Sequence, residues 1–175
     1  MKQRIIQFWR AVNASLNDKD IAFVNRYLNE KEQKLFFAMR IYDQRHALNV
    51  SYTACDLMKN RHVDEKLLLK ACLLHDVGRT KRDICLLDKV FAVLLDKYLP
   101  KTARKLAKYE KNAQTFWPKR RHALFVYYHH ADIGAAMLQK IGLEQIAEII
   151  RYHHSPPKRS DCRELIILRK ADSLN

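Results

Sequence analysis

The sequence has few of the residues that interrupt helices: three glycines and four prolines in 175 positions. That scarcity leaves little for the tight turns of an all-β chain, and the many Lys, Glu, Leu and Ala residues favour helix. Long apolar runs are also missing. Stretches such as 90–95 are far shorter than the roughly 20 residues that cross a bilayer as a helix. The four cysteines, Cys55, Cys72, Cys85 and Cys162, show no C-x-x-C spacing, which argues against a zinc knuckle or a disulfide framework. Buried thiols in a reducing compartment are expected instead. Near the start, Ile5, Ile6, Phe8 and Trp9 are interrupted by Gln7 and Arg10, unlike the apolar centre of a secretory leader, so a cytoplasmic protein is expected. Acidic residues are in deficit, 19 against 33 basic ones, for a formal charge of +14.

Apolar residues make up 48% of the chain, enough for one compact domain with a real core. Periodicity predicts an all-α fold. Asn17 or Asp18 can cap a helix reaching Leu28, and Asn29, followed by Glu30 and Glu32, caps another reaching Met39. These form an N-terminal helical layer over 1–40, packed on a main helical domain over 41–175. There a helix is predicted over 42–60, with Ala47, Val50, Ala54 and Leu57 at steps of three and four. Asp64 caps the next, which ends near His75 and is stopped by Gly78. Further helices are predicted over 83–98, from Pro100, over 121–129, 132–141, 144–152 and 163–174, with Pro118, Pro156 and Pro157 as breaks.

The polar residues at the ends of apolar helical faces carry the chemistry. His75 and Asp76 follow the run 67–74, which is apolar apart from Lys70. His153 and His154 follow Ile146, Ala147, Ile149 and Ile150, and Asp172 follows Leu165, Ile166, Ile167 and Leu168. Imidazoles and carboxylates in such places are costly unless paired or metal-bound. Adjacent helical residues point about 100° apart, so an adjacent His and Asp can flank two metal positions with the carboxylate shared between them. Such a donor set suits iron, manganese, nickel or zinc better than magnesium or calcium.

The series Arg45-His46, Leu73-Leu74-His75-Asp76-Val77-Gly78-Arg79, His130-Ala131-Asp132-Ile133-Gly134-Ala135, His153-His154 and Lys170-Ala171-Asp172 closely resembles the HD-domain superfamily in the order H…HD…H…HH…D. The resemblance implies a single-domain HD-type helical bundle and a metal-dependent phosphohydrolase, with two divalent transition metals, iron or manganese first and zinc or nickel as alternatives. It implies one site of His46, His75, Asp76 and Asp172. Asp76 then bridges to a second metal held by His130 and His153, with His154 a further ligand or a residue supporting them. His129 competes with His130 for its position, whereas His62 and His122 match no motif.

The reaction so implied is attack of a metal-bridging hydroxide on the phosphorus of a small phosphorylated substrate such as a nucleotide or dinucleotide. Arg79 stands where many members carry a lysine; it reads either as a phosphate contact or as a cation favoured by a helix C-terminus. The Gly-Tyr-Pro element of the cyclic-dinucleotide phosphodiesterase branch is absent, since Ser155-Pro156-Pro157-Lys158 follows the histidine pair. Two other functions stay open: a di-iron oxygenase on the same scaffold, and a metal-stabilised module that binds nucleic acid or an anionic membrane. The last draws on the segment 97–121, where nine cations face a single acid, Glu110. A solvated helical face accounts for that segment equally well.

Overall fold

The computed structural model describes residues 14–59, 61–81, 86–108 and 118–175. Among them lie nine helices and no strand: α1 (Asp18–Tyr27), α2 (Glu30–Ala38), α3 (Ile41–Met58), α4 (Glu65–Leu74), α5 (Leu86–Tyr98), α6 (Pro100–Ala107), α7 (Pro118–Gln139), α8 (Glu144–Arg151) and α9 (Arg163–Leu174). The all-α expectation holds. Both asparagine caps form as capping boxes: Asn17 accepts from the Asp20 amide while the Asp20 carboxylate takes the Asn17 amide, and Asn29 and Glu32 repeat the pattern. Asp64 accepts from the Leu67 amide at the start of α4, and Pro100 opens α6, where its missing N–H costs nothing.

α4 is the centre of the molecule. It packs against α1, α2, α3, α8 and α9, and Leu68, Leu69, Ala71, Cys72, Leu73 and Leu74 have no exposed surface. A helix that must bury nearly every side has to be apolar all round, which explains the run noted in the sequence. Its exception, Lys70, reaches across to the fully buried Glu32 of α2 with Nζ–Oε1 2.5 Å. A second, smaller apolar cluster joins Ala92 of α5, Ala107 of α6 and Leu124 of α7, with Phe91, Leu95, Leu106 and Tyr127 against it.

Two expectations need correction. The helices predicted over 121–129 and 132–141 are one helix, α7. No glycine or proline separates them, and Asp132 is exposed with its carboxylate 3.8 Å from Arg151 rather than serving as a cap. α7 ends where Gly142, at φ +80°, lets the Leu143 amide reach the Leu138 carbonyl and its own amide reach Gln139. The expectation of buried thiols holds for Cys72 but not for Cys162, which is exposed at the start of α9, nor fully for Cys55, which is half-buried. Cys85, with 83–84 of the helix expected from Asp83 and 60 at the end of the one expected from 42, lies outside the described residues, as do 1–13, 82 and 109–117.

Candidate metal centre

Five helical segments deliver the predicted residues to one place. His46 sits in the second turn of α3, His75 caps the C-terminus of α4 with Asp76 next to it, His130 lies midway along α7, His153 and His154 follow α8, and Asp172 is in the last turn of α9. His46 Nε2 is 2.9 Å from Asp172 Oδ1. Asp76 stands between two sets of rings: its Oδ2 is 3.6 Å from His75 Nε2 and its Oδ1 is 3.4 Å from His130 Nε2. His154 Nε2 lies 3.0 Å from His130 Nε2, and the His153 and His154 rings are 3.8 Å apart. His75, Asp76, His130 and His153 are each at most 3% exposed, whereas His46 and Asp172 open toward solvent at 26% and 20% of their side chains. The cluster has a closed floor and an open rim.

The same local device orients three of the rings. His75 Nδ1 lies 2.8 Å from the Cys72 carbonyl, His130 Nδ1 2.9 Å from that of Tyr127, and His153 Nδ1 2.5 Å from that of Ile150, each three residues back. A carbonyl can only accept, so each Nδ1 carries the proton and each Nε2 turns a lone pair to the centre. His153 Nε2 is buried and has no hydrogen-bond partner among the described residues, a costly condition for an acceptor that faces only protein. Converging imidazole lone pairs around carboxylates fit a divalent transition metal. Among the described residues, three groups of side chains could each hold an ion, with donor atoms within 4.8 Å of one another: His46, His75 and Asp76; Asp76, His130, His153 and His154; and His75, His153 and Asp172.

Electrostatics keep His130, His153, His154 and Asp172 in the forms that bind metal. Burial pushes His130 well below the ordinary imidazole range, helped by Arg79 and opposed by Asp76. Burial also takes His153 down to about 3, with His75 and His154 adding to it, and lowers His154. For Asp172, burial works upward, but the hydrogen bond from His46 and the nearness of His75 hold it well below the usual carboxylate range. Neutral imidazoles and an ionised carboxylate are what metal ligation requires.

Two glycines bring the halves of the site together. A Cβ on Gly78 would fall 2.1 Å from the His130 carbonyl oxygen and 2.9 Å from the Gly134 amide, and one on Gly134 would meet the Gly78 amide at 3.2 Å. The turn carrying Asp76 therefore lies directly on the turn of α7 carrying His130. Sequence reasoning read Gly78 as a helix stop and gave Gly134 no role; an isolated glycine inside a helical pattern was the available signal for such close approach. Neither the α7 contact of Gly78 nor the carbonyl partners of the histidines can be read from spacing.

Arg79 reaches into the cluster: its Nη1 is 2.5 Å from Asp76 Oδ2 and its Nη2 2.9 Å from His130 Nε2. It is thus more than a cation at a helix end. His129 is exposed, with its ring 4.6 Å from Phe125, and belongs to none of the three groups. His62 and His122 are likewise absent from them. A cleft of about 430 Å³ lined by Tyr152, Lys158, Asp161 and Arg169, among others, contains none of the clustered histidines or aspartates.

Neither the curated proteins nor the solved structures contain a significant match to the chain. The profile of the HD domain matches residues 44–175, a span that holds every one of the clustered side chains and three-quarters of the sequence. The chain belongs to the HD-domain family, whose members bind divalent metals and are for the most part metal-dependent hydrolases.

Proposed function

We propose that the protein is a metal-dependent phosphohydrolase acting on a phosphoester of a small phosphorylated molecule such as a nucleotide or dinucleotide. The observation that carries this reading is the place of Asp76, which belongs both to the group with His46 and His75 and to the group with His130, His153 and His154. A carboxylate shared in this way suits a pair of ions. The first would be held by His46, His75, Asp76 and Asp172, the second by Asp76, His130, His153 and His154, with iron or manganese preferred. Such a pair supplies Lewis acidity to a phosphoryl oxygen and an activated water for in-line attack.

The chain's own residues do the rest. The three Nδ1–H to carbonyl bonds hold the rings in place before any substrate arrives, so little reorganisation is needed during reaction. His46, Asp172 and His154 line the open rim through which a phosphoryl group enters. Arg79, beside the shared carboxylate, is assigned to the phosphate: its planar fork matches two nonbridging oxygens. The excess of basic residues favours encounter with anionic substrates.

The test is phosphate release from a panel of nucleotides and dinucleotides by protein purified without oxygen and loaded with iron or manganese. Release that needs the metal and disappears in Asp76→Ala is the expected result. Loaded protein that consumes oxygen and releases no phosphate would replace this reading with the di-iron oxygenase.

A further inference from the structure

α5 and α6 show surfaces that the metal centre does not use. Nine large apolar side chains are exposed among the described residues, and five of them, Leu87, Val90, Leu94, Tyr98 and Leu99, lie on α5 and its exit. Leu87, Val90, Leu94 and Tyr98 recur at steps of three and four, so they form one stripe along the helix. The adjoining and opposite faces of α5 are occupied: Phe91 and Leu95 on the flank and Ala92 on the far side pack with Leu124 in the second apolar cluster. Among the described residues, none of the core clusters includes the stripe. Leu87 is 76% exposed and Tyr98 67%, values that a helix sealing only its own domain has no reason to keep side by side.

The charges on α6, next along the chain, are of one sign, whereas α5 carries the half-buried Asp88 and Asp96 beside its lysines. α6 buries Ala103 and Ala107 and exposes Lys101, Arg104 and Lys105, which fall within about 100° of arc at 100° per residue, and Lys108 is exposed at its C-cap. α6 contains no acid. On α5, Asp96 accepts the Tyr128 hydroxyl of α7 and so turns inward. At the corner, Lys97, Tyr98, Leu99, Pro100 and Lys101 are all exposed in succession, with the Lys97 ammonium 5.1 Å from the centre of the Tyr98 ring. Amphipathic tyrosine and lysine beside exposed leucines match the chemistry of the boundary between headgroups and acyl chains.

We propose that the α5–α6 corner docks on an anionic lipid bilayer, with Leu94, Tyr98 and Leu99 entering the headgroup boundary and Lys97, Lys101, Arg104, Lys105 and Lys108 meeting lipid phosphates. A nucleic acid would use the cations and the tyrosine but would gain nothing from Leu87, Val90, Leu94 and Leu99, which is why the bilayer is the better occupant. The surface is independent of the metal centre, so it stands or falls apart from the hydrolase reading.

The experiment is flotation of the full-length protein with vesicles of phosphatidylcholine alone or mixed with phosphatidylglycerol, over rising salt. Wild type should float with the anionic vesicles, stay behind with the neutral ones, and release as salt screens the charges. The pair Lys101→Gln with Lys105→Gln should weaken binding at least roughly tenfold, since each cation near an anionic leaflet contributes about fivefold. Leu94→Ser with Leu99→Ser, which leaves the charge unchanged, should weaken it by a similar factor through lost apolar burial. All four positions are exposed, so circular dichroism and metal content should match wild type. Three results would overturn the proposal: no flotation at low salt, flotation indifferent to the leucine pair, or a short oligonucleotide bound more tightly than the vesicles. A concentration-dependent dimer abolished by the leucine pair, with no vesicle binding, would assign the stripe to a second copy instead.

Discussion

Gly78 carries more of this site than its place at a helix end indicates. A methyl group there would lie 2.1 Å from a backbone oxygen, and backbone cannot move aside as a side-chain tip can. Gly78→Ala is expected to cost about 2–3 kcal/mol, at the upper end of overpacking, read as a lower denaturant midpoint. It should also weaken metal binding, because the turns of Asp76 and His130 are forced apart. Asp76→Asn tests the other side of the same contact. It keeps the shape but removes the charge beside Arg79, and metal content measured after reconstitution should fall more steeply than helix content. The residue types of the site were legible in the sequence because imidazole and carboxylate at the ends of apolar faces are expensive without a partner. The position of Arg79 was not, since an arginine three residues after an aspartate fits either a helix-end cation or a site residue until the fold places His130 beside it.

Between elements, two ion pairs with buried carboxylates tie the N-terminal helices to the rest. Lys70 on α4 faces Glu32 on α2; Lys70→Met leaves the fully buried carboxylate its Asn29 amide but no counter-charge and should cost about 3–5 kcal/mol, whereas the double change with Glu32→Gln, which can keep the bond to that amide, should recover most of it. Thermal unfolding of the three variants checks this. Asp20 of α1 is bound by Arg45 and by the Tyr52 hydroxyl of α3. Burial raises its carboxyl, but Arg45, the Asn17 amide and Tyr52 together bring it below the ordinary value of 3.8. Its folded pKa thus lies under the unfolded one, so its contribution is complete above about pH 4 and is lost as pH falls through the folded value. Denaturant midpoints should drop across that window, and Asp20→Asn should flatten the drop. Helix starts were the most legible part of the elements, since Asn17, Asn29, Asp64 and Pro100 act locally. The continuity of α7 was hidden because Asp132 has the chemistry of a cap, and only its exposure opposite Arg151 shows that it does not act as one.

For the whole molecule, burial of apolar α4 among five neighbouring helices fixes where the ends of α3, α4, α8 and α9 meet, and the clustered histidines and aspartates arrive together as a consequence. An ion that binds this arrangement and not the unfolded chain must stabilise it: at a hundredfold excess over its dissociation constant, about 2.7 kcal/mol. Chelation should therefore lower the melting temperature by several degrees, reversibly on adding manganese. The proposal of two metals rests on Asp76 being common to two groups. The most direct measurement is metal content per chain after anaerobic reconstitution, for wild type and for Asp76→Ala. Two ions in wild type and a loss at both positions in the variant are the predicted result. A wild-type chain that retains no iron, manganese, zinc or nickel, or a variant that keeps both ions, would contradict it.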